Sequence, residues 1–146
     1  MLWKISICLF FVFIYFIFGK AVNTDIIIVT VTTGHKLWSG TDDTVQLRLN
    51  FENAKKPEFK TLDDKKKNNF ERDSIESFRF EPDAIKPGAY DLGRLKSITL
   101  RLKKDGWLGL DDWYPKSVRI SYNGRIYFFK CETWIGKSMK EYTFYQ

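Results

Sequence analysis

Apolar residues recur at every second position along most of the chain after residue 25, a period typical of β-strands with one buried and one solvated face. β-branched and aromatic types dominate these positions. The pattern predicts eight strands, at residues 25–33, 45–50, 59–62, 74–80, 95–103, 117–122, 125–129 and 138–145. Asn123-Gly124, which accepts positive φ at both central positions of a two-residue turn, predicts a hairpin between the sixth and seventh strands. With no long amphipathic helix, the pattern indicates an all-β, antiparallel eight-stranded β-sandwich.

The pattern changes at the N-terminus, where residues 5–18 form a run of 14 residues without a charge, preceded by Lys4. This length suits the apolar region of a signal peptide and is short for a bilayer span. Gly19-Lys20-Ala21 offers small residues for a cleavage site before Val22. We therefore predict a signal peptide at 1–21, a single domain at 22–146 and a secreted, extracellular protein. The alternative is an uncleaved signal anchor.

Charge excludes one class of partner. The sequence has 24 Lys and Arg against 18 Asp and Glu, and removing 1–21 takes away Lys4 and Lys20, which leaves 22 against 18, or +4. This mild excess favours anionic head groups or acidic glycans. It lacks the dense basic stripe of a nucleic-acid binder, so no nucleic-acid partner is expected.

Cys131 is the single cysteine after residue 21, so no disulfide can form within the domain. It is either a buried apolar side chain or a link to a second chain, and its neighbours Phe128-Phe129 favour burial. A monomer is expected unless Cys131 forms an intermolecular disulfide. Trp113 and Trp134, which lie at strand edges, are both assigned to the core.

The motifs of catalysis are missing from the sequence. His35 is the only histidine, and there is no Gly-x-Ser-x-Gly turn and no Cys/His cluster for zinc. No enzymatic activity is expected. The acidic pairs Asp42-Asp43 and Asp111-Asp112 suit a hard cation such as calcium, since they lie on loops that can meet at one end of a sandwich. The alternative is that these residues are ordinary turn formers.

The same two loops carry large apolar residues, Leu37-Trp38 and Trp107-Leu108. Tryptophan at a loop tip suits the membrane interface, because its ring is apolar while its N–H stays hydrated. We predict that these four residues contact a membrane. The alternative is that either tryptophan ring folds back onto the edge of the sandwich.

Six segments in order resemble one family. They are residues 30–34 (TVTTG), 39–45 (SGTDDTV), 70–78 (FERDSIESF), 91–95 (DLGRL), 111–114 (DDWY) and 128–134 (FFKCETW). Together they resemble the PLAT domain, also called the lipoxygenase homology domain, over nearly all of 22–146. The resemblance implies two four-stranded sheets, and a module that lipoxygenases, pancreatic-type lipases and a clostridial phospholipase toxin attach to their catalytic domains to reach membranes or partners.

The resemblance also implies where calcium would bind. In the family members that bind it, the ligands come from a Gly-Thr-Asp loop, an Asn/Asp pair before the Phe-Glu-Arg segment and the Asp before Trp or Tyr. The matching residues here are Gly40, Thr41, Asp42 or Asp43, Asn68, Asn69, Asp111 and Asp112. One departure weakens the match: Trp38 stands where the toxin-like version has an acidic ligand.

The function expected from the sequence is therefore a stand-alone, secreted, non-catalytic PLAT domain that binds membrane lipids or a lipid-associated protein with the help of Ca²⁺. The alternative is a secreted protein-interaction module, such as an effector or venom component, that docks on a partner protein through a sheet face or through the lysine-rich loop at 65–67.

Overall fold

The strands predicted from alternating hydrophobicity are present in the structure, a computed structural model that describes residues 26–55, 57–64, 68–85, 91–103, 112–136 and 139–146. Within these ranges there are eight strands and one short helix. They are β1 (Ile27–Thr33), β2 (Thr44–Phe51), β3 (Lys60–Leu62), β4 (Ile75–Phe80), α1 (Pro82–Ile85), β5 (Leu95–Lys103), β6 (Pro115–Tyr122), β7 (Arg125–Lys130) and β8 (Tyr142–Tyr145). No helix in the described part of the chain has the length and apolar character to cross a bilayer.

The strands form two antiparallel four-stranded sheets, with the orders β4-β1-β6-β7 and β3-β2-β5-β8. The predicted β-sandwich is confirmed. β1 and β2 bury alternate residues, as β1 does with Ile27, Val29 and Val31, whereas β5 buries four consecutive residues from Ser97 to Leu100. The inner faces of both sheets pack these residues into one core, whose fully buried members include Val45, Leu47, Ile98, Leu100, Leu102, Val118, Ile120 and Phe129.

The hairpin between β6 and β7 turns as its sequence requires. Asn123 and Gly124 have φ of 50° and 67°, the left-handed conformation that this dipeptide accepts at low cost. Tyr122 pairs with Arg125 across the turn. The prediction of a two-residue hairpin is confirmed.

One core assignment is right and the other is wrong. Trp113 is fully buried, and its indole Nε1–H donates to Thr33 Oγ1 at 3.1 Å. Trp134 is 38% exposed. The buried place goes to the next residue, Ile135, which forms a β-bridge with Trp113, and the alternation of the backbone then turns Trp134 outward. Cys131 is buried and free, as its neighbours suggested.

The register places four connections at the same end of the sandwich. β1 ends there, and β2, β4 and β6 begin there, because Thr33 pairs with Pro115, Thr32 with Ile75 and Thr44 with Lys103. We call this the loop end, and define it by the described parts of the connections 34–43, 63–74, 112–114 and 131–141. The β6–β7 hairpin lies at the opposite end.

Candidate functional site

Two apolar side chains project from the loop end. Leu37 is 66% exposed and Trp38 is 81% exposed. Trp38 has a φ of 63°, a left-handed conformation that costs an L-residue other than Gly about 1–2 kcal/mol. The alternative prediction, that the Trp38 ring folds back onto the sandwich, is therefore wrong. An exposed aromatic ring held in a strained conformation indicates a role other than stability.

The base of this loop is closed by hydrogen bonds. The Gly34 N–H donates to the Tyr114 carbonyl at 2.8 Å, and the Tyr114 N–H donates to the Ser39 carbonyl at 3.0 Å. Within the loop, the Ser39 N–H donates to the Lys36 carbonyl at 3.1 Å, and the Ser39 hydroxyl donates to the Gly34 carbonyl. A Cβ on Gly34 would lie 2.5 Å from Tyr114 Cδ1, so the close approach requires glycine. The sandwich therefore holds Leu37 and Trp38 out on a short, braced loop.

An aromatic cluster adjoins this loop. The Lys36 Nζ lies 3.9 Å from the centroid of the Tyr114 ring, and the Tyr114 and Trp134 rings are 5.1 Å apart. Met139, in the last connection of the loop end, is 43% exposed. The exposed Trp134 thus extends the apolar surface of the loop end. The sequence analysis did not predict this exposure of Trp134. Like Trp38, Trp134 lies in a polar connection, and that position would have indicated it.

The Gly-Thr-Asp loop lies against the segment that follows Asn68-Asn69. The Thr41 N–H donates to the Phe70 carbonyl at 3.2 Å, and a Cβ on Gly40 would lie 3.0 Å from the same carbonyl. Phe70 anchors this segment, because its buried ring packs edge-on against Trp113 at 5.2 Å. The structure therefore brings together two of the three segments that the family pattern assigns to calcium.

Oxygen atoms gather between these segments. The side-chain amide of Asn69 donates to Asp63 Oδ1 at 3.1 Å and to the Asp64 carbonyl at 3.2 Å. Its carbonyl oxygen, Oδ1, is buried and accepts no hydrogen bond from the described residues. Asp43 is buried, and the β2–β3 register, continued by two residues beyond Val45 and Leu62, places it opposite Asp64. Carboxylate and amide oxygens of this kind are the ligands that calcium prefers.

The other predicted ligands that the structure describes are exposed or hydrogen-bonded within their own turns. Asp42 is exposed, and the side-chain amide of Asn68 donates to Glu71 Oε1. Thr41 Oγ1 accepts the Asp43 N–H at 3.1 Å, which braces the turn. Asp112 is exposed, and its Oδ1 lies beside Gly136.

Three predicted site residues, Trp107, Leu108 and Asp111, lie outside the described residues, as does the lysine-rich stretch 65–67. Among the residues that the structure does describe, no three His, Cys, Asp or Glu side chains are placed to share a metal ion. The oxygen atoms around Asn69 are therefore of the chemical type that calcium binds. A bound ion would need amide and backbone oxygens as ligands in addition to carboxylates.

Two side chains near the loop end have shifted pKa values. Burial raises the pKa of the Cys131 thiol to about 12, so the thiol stays neutral at physiological pH and is a poor nucleophile. A hydrogen bond to Glu132, followed by its charge, raises the pKa of Lys130. Neither group has the lowered pKa of an activated nucleophile.

The structure is thus a two-sheet antiparallel sandwich that carries exposed apolar side chains and oxygen-bearing side chains on the loops at one end. Residues 27–145 match the family model for the PLAT/LH2 domain. The chain therefore belongs to the PLAT/LH2 domain family, and the predicted resemblance is confirmed.

Solved structures agree with this membership. The LOX variant Delta413-417:GS is 27% identical, with 83% of this chain and 16% of that chain covered and a TM-score of 0.65. Coral 8R-lipoxygenase, described as activated by calcium through a C2-like domain, is 26% identical, with 82% and 16% covered and a TM-score of 0.64. The alpha toxin of Clostridium absonum, at 22% identity, 90% and 34% coverage and a TM-score of 0.64, shares the fold. The chain thus spans about one sixth of these lipoxygenases and about one third of the toxin.

Proposed function

We propose that this protein is a secreted, non-catalytic binding module that attaches to lipid membranes through its loop end, with calcium assisting. The observation that carries the proposal is the exposed Leu37-Trp38 tip, held on a braced loop at the same end of the sandwich as the buried Asn69 Oδ1. The lipoxygenase and toxin relatives are longer chains with their own activities, so the role proposed here is that of the domain alone.

The apolar contribution to the free energy of membrane binding comes from the tip of the loop. Moving a large apolar side chain fully out of water contributes about 1.5–3 kcal/mol. Leu37 is 66% exposed and Trp38 is 81% exposed, so about two thirds and about four fifths of this free energy are available on insertion. Trp134 and Met139 add a smaller contribution from the neighbouring connection. An indole ring also matches the interface, where its N–H stays in contact with water and head groups.

The electrostatic contribution to the free energy of membrane binding comes from the acidic segments. Asp43, Asp63 and Asp64 carry negative charge at the loop end and would repel anionic lipid. A calcium ion held by Asn69 Oδ1, by backbone oxygens and by one or two of these carboxylates would neutralise part of that charge and attract lipid phosphate. The calcium activation named for coral 8R-lipoxygenase, which acts through its C2-like domain, supports this part of the proposal.

Vesicle co-sedimentation tests the function. Residues 22–146 are the chain to use, because the apolar run at 5–18 would itself partition into vesicles. All eight strands and the core lie within it. We expect it to pellet with vesicles of mixed neutral and anionic lipid in calcium, and to pellet less in a chelator. A folded chain that stays in the supernatant under both conditions would overturn the proposal.

Calcium binding has its own test. Asn69→Leu removes the buried amide oxygen, and Asn68→Ala is the matched control because the Asn68 amide bonds only to Glu71 in the described structure. Isothermal titration calorimetry is expected to show weaker calcium binding for Asn69→Leu than for Asn68→Ala. Equal affinities would place the ion elsewhere. Secretion is tested by N-terminal sequencing of the exported protein, which is expected to begin at Val22.

A further inference from the structure

The segment at residues 69–74, which begins with the buried Asn69 oxygen, contains two backbone conformations that are unusual for residues with side chains. Phe70 and Asp73 have φ of 61° and 62°, in the left-handed region. For a bulky aromatic residue such as Phe70 this conformation is an outlier, and it persists only where the surrounding contacts impose it. An outlier that is imposed in this way indicates a functional constraint on the 69–74 segment.

Two residues of β4 hold Phe70 in place. Glu76 Oε1 accepts the Phe70 N–H at 2.7 Å, and the Phe78 ring stacks on the Phe70 ring with 5.8 Å between the centroids. Glu76 and Phe78 lie two residues apart on one strand, so both project from the same face of β4. This is the inward face, because Phe78 is buried in the core. β4 therefore holds both the backbone and the side chain of Phe70.

The Glu76 carboxylate fixes a part of the segment that aromatic packing leaves free. The Phe70 N–H belongs to the planar peptide unit that also contains the Asn69 carbonyl, so its hydrogen bond sets the orientation of that unit. A hydrogen bond to a carboxylate is stronger than one to a neutral acceptor. The buried ring, which also packs against Trp113, fixes the other side of the N–Cα bond. Together the two contacts set the φ of Phe70.

The same segment is hydrogen-bonded to both ends of the loop that carries the apolar tip at residues 37–38. The Thr41 N–H donates to the Phe70 carbonyl at 3.2 Å, and the Asp73 N–H donates to the Gly34 carbonyl at 3.1 Å. Neither bond involves an atom of the tip itself. The orientation of the 69–74 segment therefore determines how the base of the loop is held.

We propose that Glu76 is a positioning residue that couples calcium binding to the order of the loop at residues 34–41. Its carboxylate sets the 69–74 segment, which carries the Asn69 oxygen at its start and the hydrogen bonds to the loop along its length. A calcium ion on Asn69 would restrain the peptide units that hold the loop, and an ordered loop would favour calcium equally, because such coupling is reciprocal. This inference rests on the calcium site of the proposed function and adds the route by which that site acts on the loop.

Two variants of Glu76 separate positioning from a direct effect of its charge on the ion. Glu76→Gln keeps an oxygen that accepts the Phe70 N–H and loses the charge, whereas Glu76→Ala loses both. Tyr122→Phe is the matched control. It removes the hydroxyl that accepts the Leu92 N–H at 3.3 Å, so it also leaves one backbone N–H without that acceptor, but at the opposite end of the sandwich.

The experiment uses residues 22–146 without lipid. Amide hydrogen exchange by NMR, with and without calcium, reports on the Thr41 and Asp73 hydrogen bonds, and isothermal titration calorimetry reports the calcium affinity. In the wild type, calcium is expected to slow exchange at both amides. Glu76→Ala is expected to weaken calcium binding about tenfold or more, and to speed exchange at both amides about tenfold in the calcium-free protein. Glu76→Gln and Tyr122→Phe should each change these quantities less than about threefold.

Each of three outcomes would overturn this proposal alone. They are an unchanged calcium affinity in Glu76→Ala, an equal loss of affinity in Glu76→Gln and Glu76→Ala, and unchanged exchange at Thr41 and Asp73 in Glu76→Ala. No calcium binding by the folded wild type would instead overturn the calcium part of the proposed function and this proposal with it. If circular dichroism shows that Glu76→Ala is unfolded, Glu76→Leu takes its place, because leucine retains most of the side-chain volume and accepts no hydrogen bond.

Discussion

Replacing Trp38 by glycine separates binding from stability, because the structure predicts opposite effects on the two. Trp38 is 81% exposed, so on a membrane it has most of an aromatic side chain to bury. Fully burying such a side chain contributes about 1.5–3 kcal/mol, so the available share is about 1.2–2.4 kcal/mol. At about 1.4 kcal/mol for each factor of ten, Trp38→Gly is expected to weaken vesicle affinity about 7- to 50-fold.

Although Trp38→Gly should bind vesicles more weakly, its free energy of unfolding should not decrease. Trp38 has a φ of 63°, which glycine adopts without the cost of about 1–2 kcal/mol that a side chain incurs. The added freedom of glycine in the unfolded chain offsets about 0.5–1 kcal/mol of this gain. We therefore expect a melting temperature that is unchanged or a few degrees higher.

The assay is vesicle titration followed by co-sedimentation, with thermal unfolding by circular dichroism on the same samples. Phe128→Ala is the matched control, since Phe128 is an exposed aromatic residue on a sheet face away from the loop end, and its vesicle affinity should not change. A Trp38→Gly variant that binds vesicles as well as the wild type would refute the reasoning. A lower melting temperature would contradict the account of strain at residue 38.

Three further predictions concern the core and the braced loop. Burial raises the pKa of Cys131 to about 12, so above pH 9 the unfolded chain loses a proton that the folded chain keeps. Stability should then fall by about 1.4 kcal/mol per pH unit between pH 9 and 12, and urea titrations should show this loss in the wild type but not in Cys131→Ala. Thr33→Val leaves the buried Trp113 N–H without its acceptor and should cost about 1–3 kcal/mol in urea unfolding. Gly34→Ala forces a Cβ against the Tyr114 ring and should lower the melting temperature, whereas Gly124→Ala meets no atom and should cost only the strain of a side chain at a φ of 67°, about 1–2 kcal/mol.

The strands were predictable from the sequence because alternation along a strand is a local property. Which strands become neighbours is not local: β1 pairs with β4 and β6, and only the β6–β7 hairpin carried its pairing in a turn. The last strand illustrates the limit: it was predicted over 138–145, and among the described residues from Met139 onward it is formed at Tyr142–Tyr145, which pair with β5.

For the candidate site, the sequence predicted which segments of the chain come into contact, but not the hydrogen bonds between their atoms. The Gly-Thr-Asp loop does lie against the segment after Asn69, as the family pattern implied. The buried Oδ1 of Asn69 depends on hydrogen bonds to Asp63 and Asp64 that no spacing reveals. The prediction that Trp134 is buried was wrong for a related reason. Hydrophobicity alone does not say which of two neighbouring apolar residues turns inward, and the β-bridge to Trp113 places Ile135 in the core.

Site-directed spin labelling tests the central claim, that the loop end is the surface that enters the membrane, most directly. Cys131 is buried with a raised pKa and should resist labelling at neutral pH, so Leu37→Cys in residues 22–146 provides one reactive site. Asn123→Cys, exposed in the hairpin at the opposite end, is the control. With vesicles and calcium, a nitroxide at residue 37 should collide more with oxygen and less with a water-soluble nickel chelate, while one at residue 123 should not change. A label at residue 37 that stays accessible to the chelate on vesicle-bound protein would contradict the account.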